Sequence, residues 1–201
     1  MSPALQNSAL NHDSVSGSTM TDICFTDVDV TLPDGRVVHV RTVRPTDEEE
    51  LLQAFARMSE DARYMRFMSS ISEPNMKRLR KALDSFPEGG AGIVATVPAA
   101  DGADIVASAV YVVGKDPTTC EFAITVGSEF GGVGLARSLM DAHIDLARQR
   151  GLKTMEGFVL AANGRMLRLA TRLGFNVAPD PDDRAVRICR LDLGALKGAS
   201  V

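Results

Sequence analysis

Two features of the chain have the residue types of a reaction site. Glu121 lies on a β-branched run, and a glycine turn follows it at the start of a long helical pattern. Residues 120–140 read CEFAITVGSEFGGVGLARSLM, so the run leads into Gly131-Gly132-Val133-Gly134-Leu135-Ala136. The first N–H groups of a helix lack intrahelical partners, and the helix end carries roughly half a unit of positive charge, a combination that favours phosphate. Glycines let the backbone approach a ligand closely. A pyrophosphate held by amides beside a carboxylate base is enzyme chemistry. A simple chain reversal explains the turn equally well when it is taken alone.

Strand alternation puts Glu121, Ala123 and Thr125 on one face and Phe122, Ile124 and Val126 on the other. A carboxylate on a central strand is costly unless it is solvated or paired. Glu121 is therefore either a base, or a glutamate in an ion pair or at an exposed edge. Cys120 points the opposite way, among apolar residues, where a thiol is usually inert. That placement opposes a route through an acyl-cysteine. Cys24, Cys120, Cys189, His12, His39 and His143 show neither metal-ligand spacing nor a disulfide framework, so no metal is expected.

The remaining composition excludes several classes. A net charge of -4 over 201 residues supplies no general attraction for nucleic acid. No apolar run approaches the ~18–20 residues that cross a bilayer, and no basic-then-apolar leader opens the chain. Free thiols without an export signal point to the cytoplasm. Residues 1–20 are polar and aperiodic and read as a disordered tail, 21–195 as a single domain, and 196–201 as a C-terminal tail.

The elements that position the candidate site follow from periodicity. Residues 25–43 alternate around Pro33-Asp34-Gly35 and predict a β-hairpin. Thr46 and Glu49 have capping-box spacing, which predicts a helix from about Asp47 to Met58. Ser59 should cap a short second helix through EDARYMRFM, and Pro74 suits the first turn of a third with Met76, Leu79 and Leu83 on one face. GIVATV, IVASAVYVV and EFAITV are strands with turns short enough for antiparallel neighbours. Residues 132–150 predict a helix with Leu135, Leu139, Ala142 and Leu146 in its stripe. MEGFVL, GRMLRLATRL and RAVRICRLDL add a strand, a helix and a last strand with Val186, Ile188 and Leu191 inward. Antiparallel strands followed by helix-joined ones imply an α+β (mixed α/β) fold with one central sheet.

With the turn and NGRMLRLATRLGF in place, the chain resembles the GCN5-related N-acetyltransferase (GNAT) superfamily over roughly residues 38–193. Its RPTDEEELLQAFARMSEDARYMRF, EFAITV and GFVLAANGRMLRLATRLGF resemble the bacterial Pat-type protein-lysine acetyltransferase domain. The resemblance implies a mostly antiparallel twisted sheet with a splayed parallel strand pair, flanked by helices. It implies acetyl-CoA as cosubstrate and a primary amine as acceptor, either a protein lysine or a small amine; a homodimer is compatible with it. Ile124, Thr125 and Val126 would pair with the pantetheine arm, and the amides from Gly132 through Val133, Gly134, Leu135 and Ala136 to Arg137 would take the pyrophosphate. Asn163 would touch the cofactor arm, besides serving as an N-cap. Glu121 would be the general base. RYMRF lies near where GNAT acceptors come in, although an ordinary amphipathic helix fits it too. Two positions depart from the common pattern: Gly131 stands where a Gln or Arg is usual, and Ala170 where a tyrosine acid often stands.

Overall fold

A computed structural model describes residues 25–100 and 102–194. Both expected tails, Cys24 and His12 lie outside the described residues. Eight strands form one sheet: β1 (Val28–Thr31), β2 (Val37–Thr42), β3 (Gly90–Ala99), β4 (Gly102–Val113), β5 (Thr119–Val126), β6 (Thr154–Leu160), β7 (Asn176–Pro179) and β8 (Val186–Asp192). Their spatial order is β1-β2-β3-β4-β5-β6-β8-β7. Neighbours are antiparallel except β5 and β6, which run parallel. The helices are α1 (Glu48–Ala56), α2 (Glu60–Phe67), α3 (Met76–Asp84), α4 (Leu135–Gln149) and α5 (Gly164–Arg172). This is the mixed α+β architecture expected from the periodicity.

The parallel pairing is short. It joins Thr119 to Thr154, Cys120 to Met155 and Glu121 to Glu156, and stops there. Just beyond, the ring of Phe122 lies against Gly157, where a Cβ would come within 2.5 Å of its Cε1. Only a glycine leaves room for that ring, which also meets Phe175 edge-on at 5.1 Å between centroids. Past this wedge β5 keeps β4 as its neighbour through Val126 and, among the described residues, has no strand partner on its β6 side. The strands therefore splay from Glu121 onward.

Helix α4 packs its apolar stripe on the face that carries Cys120, Phe122 and Met155, burying Leu135, Leu139, Met140, Ile144, Leu146 and Ala147. The fully buried member of the middle turn is His143, with Ala142 only partly covered. One ring nitrogen, Nε2, lies 3.2 Å from the Ala91 carbonyl, the ring meets Tyr111 edge-on, and Nδ1 has no hydrogen-bond partner among the described residues. Burial pulls the His143 pKa from 6.5 down to about 4, against the pull of the Ala91 carbonyl. Between those values the unfolded chain takes up a proton that the folded one refuses. Stability from this group is whole above pH 6.5 and falls as pH drops toward 4, by on the order of 3 kcal/mol in all. Urea melts from pH 7 to pH 4 should show His143→Leu with a shallower acid decline than the wild type. Parallel declines would remove His143 as the source.

Several local expectations are corrected. Thr46 does not cap α1. A 3-10 turn, Pro45–Asp47, comes first, and Asp47 closes it by accepting from the Arg44 N–H at 2.8 Å. Asp47 is recruited by Arg41 on β2, whose Nη1 and Nη2 donate at 2.7 and 2.8 Å. Asn75, not Pro74, starts α3, its side chain accepting from the Arg78 N–H at 2.9 Å. Helix α4 begins at Leu135, because Gly132 and Gly134 hold φ of 86° and 88°. On β8 the core face is that of Cys189 and Leu191, while Ile188 is only partly covered on the other side. Strand β7 escaped prediction: it is short, ends in proline and lacks alternation, and pairing with β8 creates it. Ser59 does cap α2, accepting from the Ala62 N–H at 3.2 Å.

Candidate active site

A cleft of about 1280 Å³ opens where β5 splays from β6. That exceeds the ~300–1,000 Å³ of ordinary small-ligand pockets and suits a long ligand. Ile124, Thr125 and Val126 line it from the strand, and Gly131, Gly132, Gly134, Ala136 and Arg137 from the turn and α4. Asn163 joins from the start of α5. The turn is built by a 3-10 segment, Ser128–Phe130, followed by the two left-handed glycines, a conformation that side-chain-bearing residues rarely adopt.

The backbone accounting at this turn is informative. Arg137 and Ser138 donate their N–H groups to the Gly134 carbonyl at 3.0 and 3.1 Å. The N–H groups from Gly132 to Ala136 have no backbone acceptor among the described residues. A run of unspent amides at a helix start, facing a cleft, fits an anionic phosphate ligand. The expectation narrows for three residues. Arg137 has its amide engaged, so its exposed side chain is what remains for a ligand. Val133 does not line the cleft, and Leu135 is fully buried in the core, so each has only its backbone to offer. Asn163 accepts from the Met166 N–H at 3.1 Å, which realises the N-cap while leaving its amide nitrogen at the cleft.

Arginines missed in the sequence surround this turn. Arg165, Arg168 and Arg172 line the cleft from α5 and have no carboxylate within 4.0 Å among the described residues. Their i, i+3, i+7 spacing after Asn163 was the available signal. A Cβ at Gly131 would lie 3.6 Å from Arg165 Nη1, so a guanidinium stands beside the position where a charged residue is usual. Arg36, from the β1–β2 turn, covers the Phe130 ring at 4.0 Å and donates to the Glu129 carbonyl at 2.8 Å. It pins the segment ahead of the glycines from 93 residues away.

Glu121 sits at the last paired register of the splay, outside the cleft lining, and is exposed. No protein group hydrogen-bonds its carboxylate among the described residues. Its strand neighbours on the same face are Val112 on β4 and Glu156 on β6, the latter paired with Arg190 at 2.9 Å. Arg66 of α2 meets the same strand at Thr125, its Nε donating to Oγ1 at 3.2 Å. Cys120 is fully buried and its thiol is pushed up to about 12, mainly by burial, so it is no nucleophile at neutral pH. Ala170 is the fully buried residue of α5 and supplies no acid.

Comparison with known proteins agrees with this geometry. The sequence profile of the family described as "Acetyltransferase (GNAT) domain" matches residues 38–176. The chain belongs to the GNAT acetyltransferase family. An acetyltransferase of Pseudomonas aeruginosa is 34% identical over 162 residues, covering 81% of this chain and 87% of its own. Among solved structures, the GNAT domain of S. lividans PAT superposes with a TM-score of 0.74 at 23% identity, covering 83% of this chain and 96% of that one. The yncA protein of Salmonella typhimurium, solved with acetyl-CoA, superposes at 0.60 with 17% identity, covering 81% and 98%. This GNAT domain is an acyltransferase that uses acetyl-CoA. Among the described residues no cluster of His, Cys, Asp and Glu could hold a metal ion, and no helix is long and apolar enough to cross a membrane.

Proposed function

We propose that this GNAT domain transfers acetyl from acetyl-CoA directly to a primary amine, a protein lysine first, with Glu121 as general base. One observation carries the reading: the parallel pairing ends at Glu121, and the freed edge of β5 leads straight to the unspent amides after Gly131. Unpaired β5 backbone at Ile124–Val126 suits the amide groups of a pantetheine arm. The Gly132–Ala136 amides, Arg165 and Arg168 suit its phosphates.

The chemistry needs little else. An ammonium must lose its proton before it can attack. Glu121 takes that proton, directly or through a water. The amine nitrogen then bonds to the acetyl carbon, the carbon–sulfur bond breaks, coenzyme A leaves as a thiolate, and the second nitrogen proton passes to that thiolate or to water. A thiol with pKa of roughly 8.5 departs without a protein acid, which agrees with a buried alanine at position 170.

The protein-lysine acceptor is supported by the surface beside Glu121. Val112, directly across from it, is 40% exposed, and Phe158, two residues beyond Glu156 on the same face, is 38% exposed. An open face with apolar side chains suits a protein segment better than a small polar amine, which needs enclosure. Thiol release from acetyl-CoA, followed against lysine-bearing proteins and small amines, should be stimulated chiefly by proteins. Stimulation by small amines alone would replace the acceptor. Binding of acetyl-CoA with no stimulating acceptor would favour the alternative that the chain is a weakly active acyl-CoA-binding sensor module.

Charge replacement at the turn yields a separate expectation. Arg165→Ala should raise the Kd for acetyl-CoA by about 10-fold, the size of one charge-assisted phosphate contact, and flatten the salt dependence of binding. Calorimetry at two ionic strengths checks it. Unchanged affinity would leave the departure at Gly131 uncompensated.

A further inference from the structure

Helix α3 carries charges that have no part in holding the fold. Four of its nine residues, Lys77, Arg78, Arg80 and Lys81, are cations, and all four are exposed, while Met76, Leu79 and Leu83 are covered. Arg80 is spent: its Nε and Nη2 donate to Glu48 at 2.8 and 2.6 Å and tie α3 to α1. Lys77, Arg78 and Lys81 have no carboxylate within 4.0 Å among the described residues, although Glu73 precedes the helix and Asp84 ends it. Lys77 and Lys81 form a like-charge i, i+4 pair, and Lys77 and Arg78 lie in the first turn, where the helix dipole disfavours cations. Stability does not account for these three charges.

Their place in the fold does. The segment after α3 crosses onto the sheet, where the Phe86 ring covers Gly90 and Gly92; a Cβ at these glycines would come within 2.8 and 3.1 Å of its ring atoms. Gly90 registers with Val112, and Val112 with Glu121. Paired residues share a sheet face, so Phe86 lies on the Glu121 side. Gly90 is two strand spacings, about 10 Å, from Glu121. Helix α3 leads back from there over ~13 Å, toward the exposed Tyr64 and Met68 of α2 and its end. A basic helix therefore flanks an open sheet face that carries an unpaired carboxylate and the exposed, apolar Val112.

We infer that α3 is a docking surface for the acceptor protein, with Lys77, Arg78 and Lys81 receiving an acidic segment that flanks the acceptor lysine. The inference rests on the acceptor being a protein lysine that is acetylated beside Glu121. Reach sets the spacing. Cations roughly 10–20 Å from Glu121 meet side chains about three to six residues from the lysine, at ~3.3 Å per extended residue. Charge sets the register, because α3 attracts the flanking carboxylates and repels the lysine, while Glu121 attracts the lysine. Nucleic acid fits this surface worse. Its charges repeat every ~1.7 Å along a duplex and would run past a helix of nine residues onto a chain whose net charge is -4.

The test compares kcat/KM for acetylation of matched single-lysine peptides that carry Asp, Asn or Arg about three to six residues from the lysine, at saturating acetyl-CoA. Wild type should favour the Asp peptide over the Asn peptide by about 10-fold, the sum of a few exposed ion pairs. The difference should lie in KM and shrink between ~50 and ~300 mM salt. Combining Lys77→Gln, Arg78→Gln and Lys81→Gln should level the Asp and Asn peptides, with the Asn peptide's rate and the Kd for acetyl-CoA unchanged. Combining Lys77→Glu, Arg78→Glu and Lys81→Glu should invert the order and favour the Arg peptide, which loss of a merely structural helix would not do. Equal kcat/KM for the Asp and Asn peptides in wild type, or a preference that survives the glutamine substitutions, overturns the inference and leaves a protein acceptor standing. Acetylation of small amines and of no peptide sinks the protein-acceptor reading and this inference with it. A single-stranded oligonucleotide that binds more tightly than the Asp peptide, and is lost with the glutamine substitutions, overturns it in favour of nucleic acid.

Discussion

Glu121→Gln is expected to lower kcat for acetyl transfer by about 10²–10⁴-fold, the usual contribution of a positioned base, while acetyl-CoA binds as before. The substitution keeps the shape of the side chain and removes its capacity to accept a proton. Because Glu121 is exposed, without a hydrogen bond to its carboxylate among the described residues and outside the cleft lining, its substitution leaves no orphaned donor there and no cavity. Folding and cofactor affinity therefore act as internal controls. Residual activity should rise steeply with pH, since a pre-deprotonated amine no longer needs the base. Stopped-flow thiol release over pH 6 to ~10 tests this. Wild-type turnover in the variant would mean that solvent deprotonates the acceptor, and that Glu121 is merely an exposed glutamate at the end of a strand pair.

How much of this was readable in advance depended on distance along the chain. Ser59 and Asn163 were legible as caps because a cap is satisfied within three residues, as the Ala62 and Met166 N–H groups show. The glycine turn and Glu121 were legible because alternation and helix-start physics are local. The charges that surround the cleft were not. Arg36 and Arg66 act over separations of 93 and 59 residues, and nothing near them in sequence states what they will meet. The Thr46–Glu49 spacing misled for the same reason. A residue of the preceding strand, Arg41, drew Asp47 into a buried pair and moved the helix start with it. The extent of the splay was hidden too, since it turns on Phe122 finding Gly157 across the sheet.

That buried pair sets the largest expected effect on stability. Asp47→Ala would leave Arg41, whose side chain is 12% exposed, without its salt-bridge partner, and the Arg44 N–H without its acceptor. Breaking a buried pair from one side costs about 3–5 kcal/mol, which for a chain of this length lowers Tm by roughly 6–20 °C. Replacing both partners by apolar residues, Arg41→Met with Asp47→Leu, should recover most of the loss, because the penalty comes from the charge left behind. The sign with pH is fixed. Burial works against ionisation of Asp47, but the Arg41 guanidinium and the Arg44 N–H outweigh it, and its pKa lies below the ordinary 3.8. The pair's contribution is thus whole above about pH 4 and is lost as pH falls through the lowered value, so wild type and Asp47→Ala should converge in acid. A loss under about 1 kcal/mol at neutral pH would put this pair with exposed ones. The damage should also be uneven. Asp47 fixes the start of α1, and α1 leads through Ser59 into the helix that carries Arg66. The cofactor turn is pinned separately by Arg36 on Glu129 and Phe130. At temperatures where Asp47→Ala is still folded, acceptor KM should therefore rise while the Kd for acetyl-CoA holds.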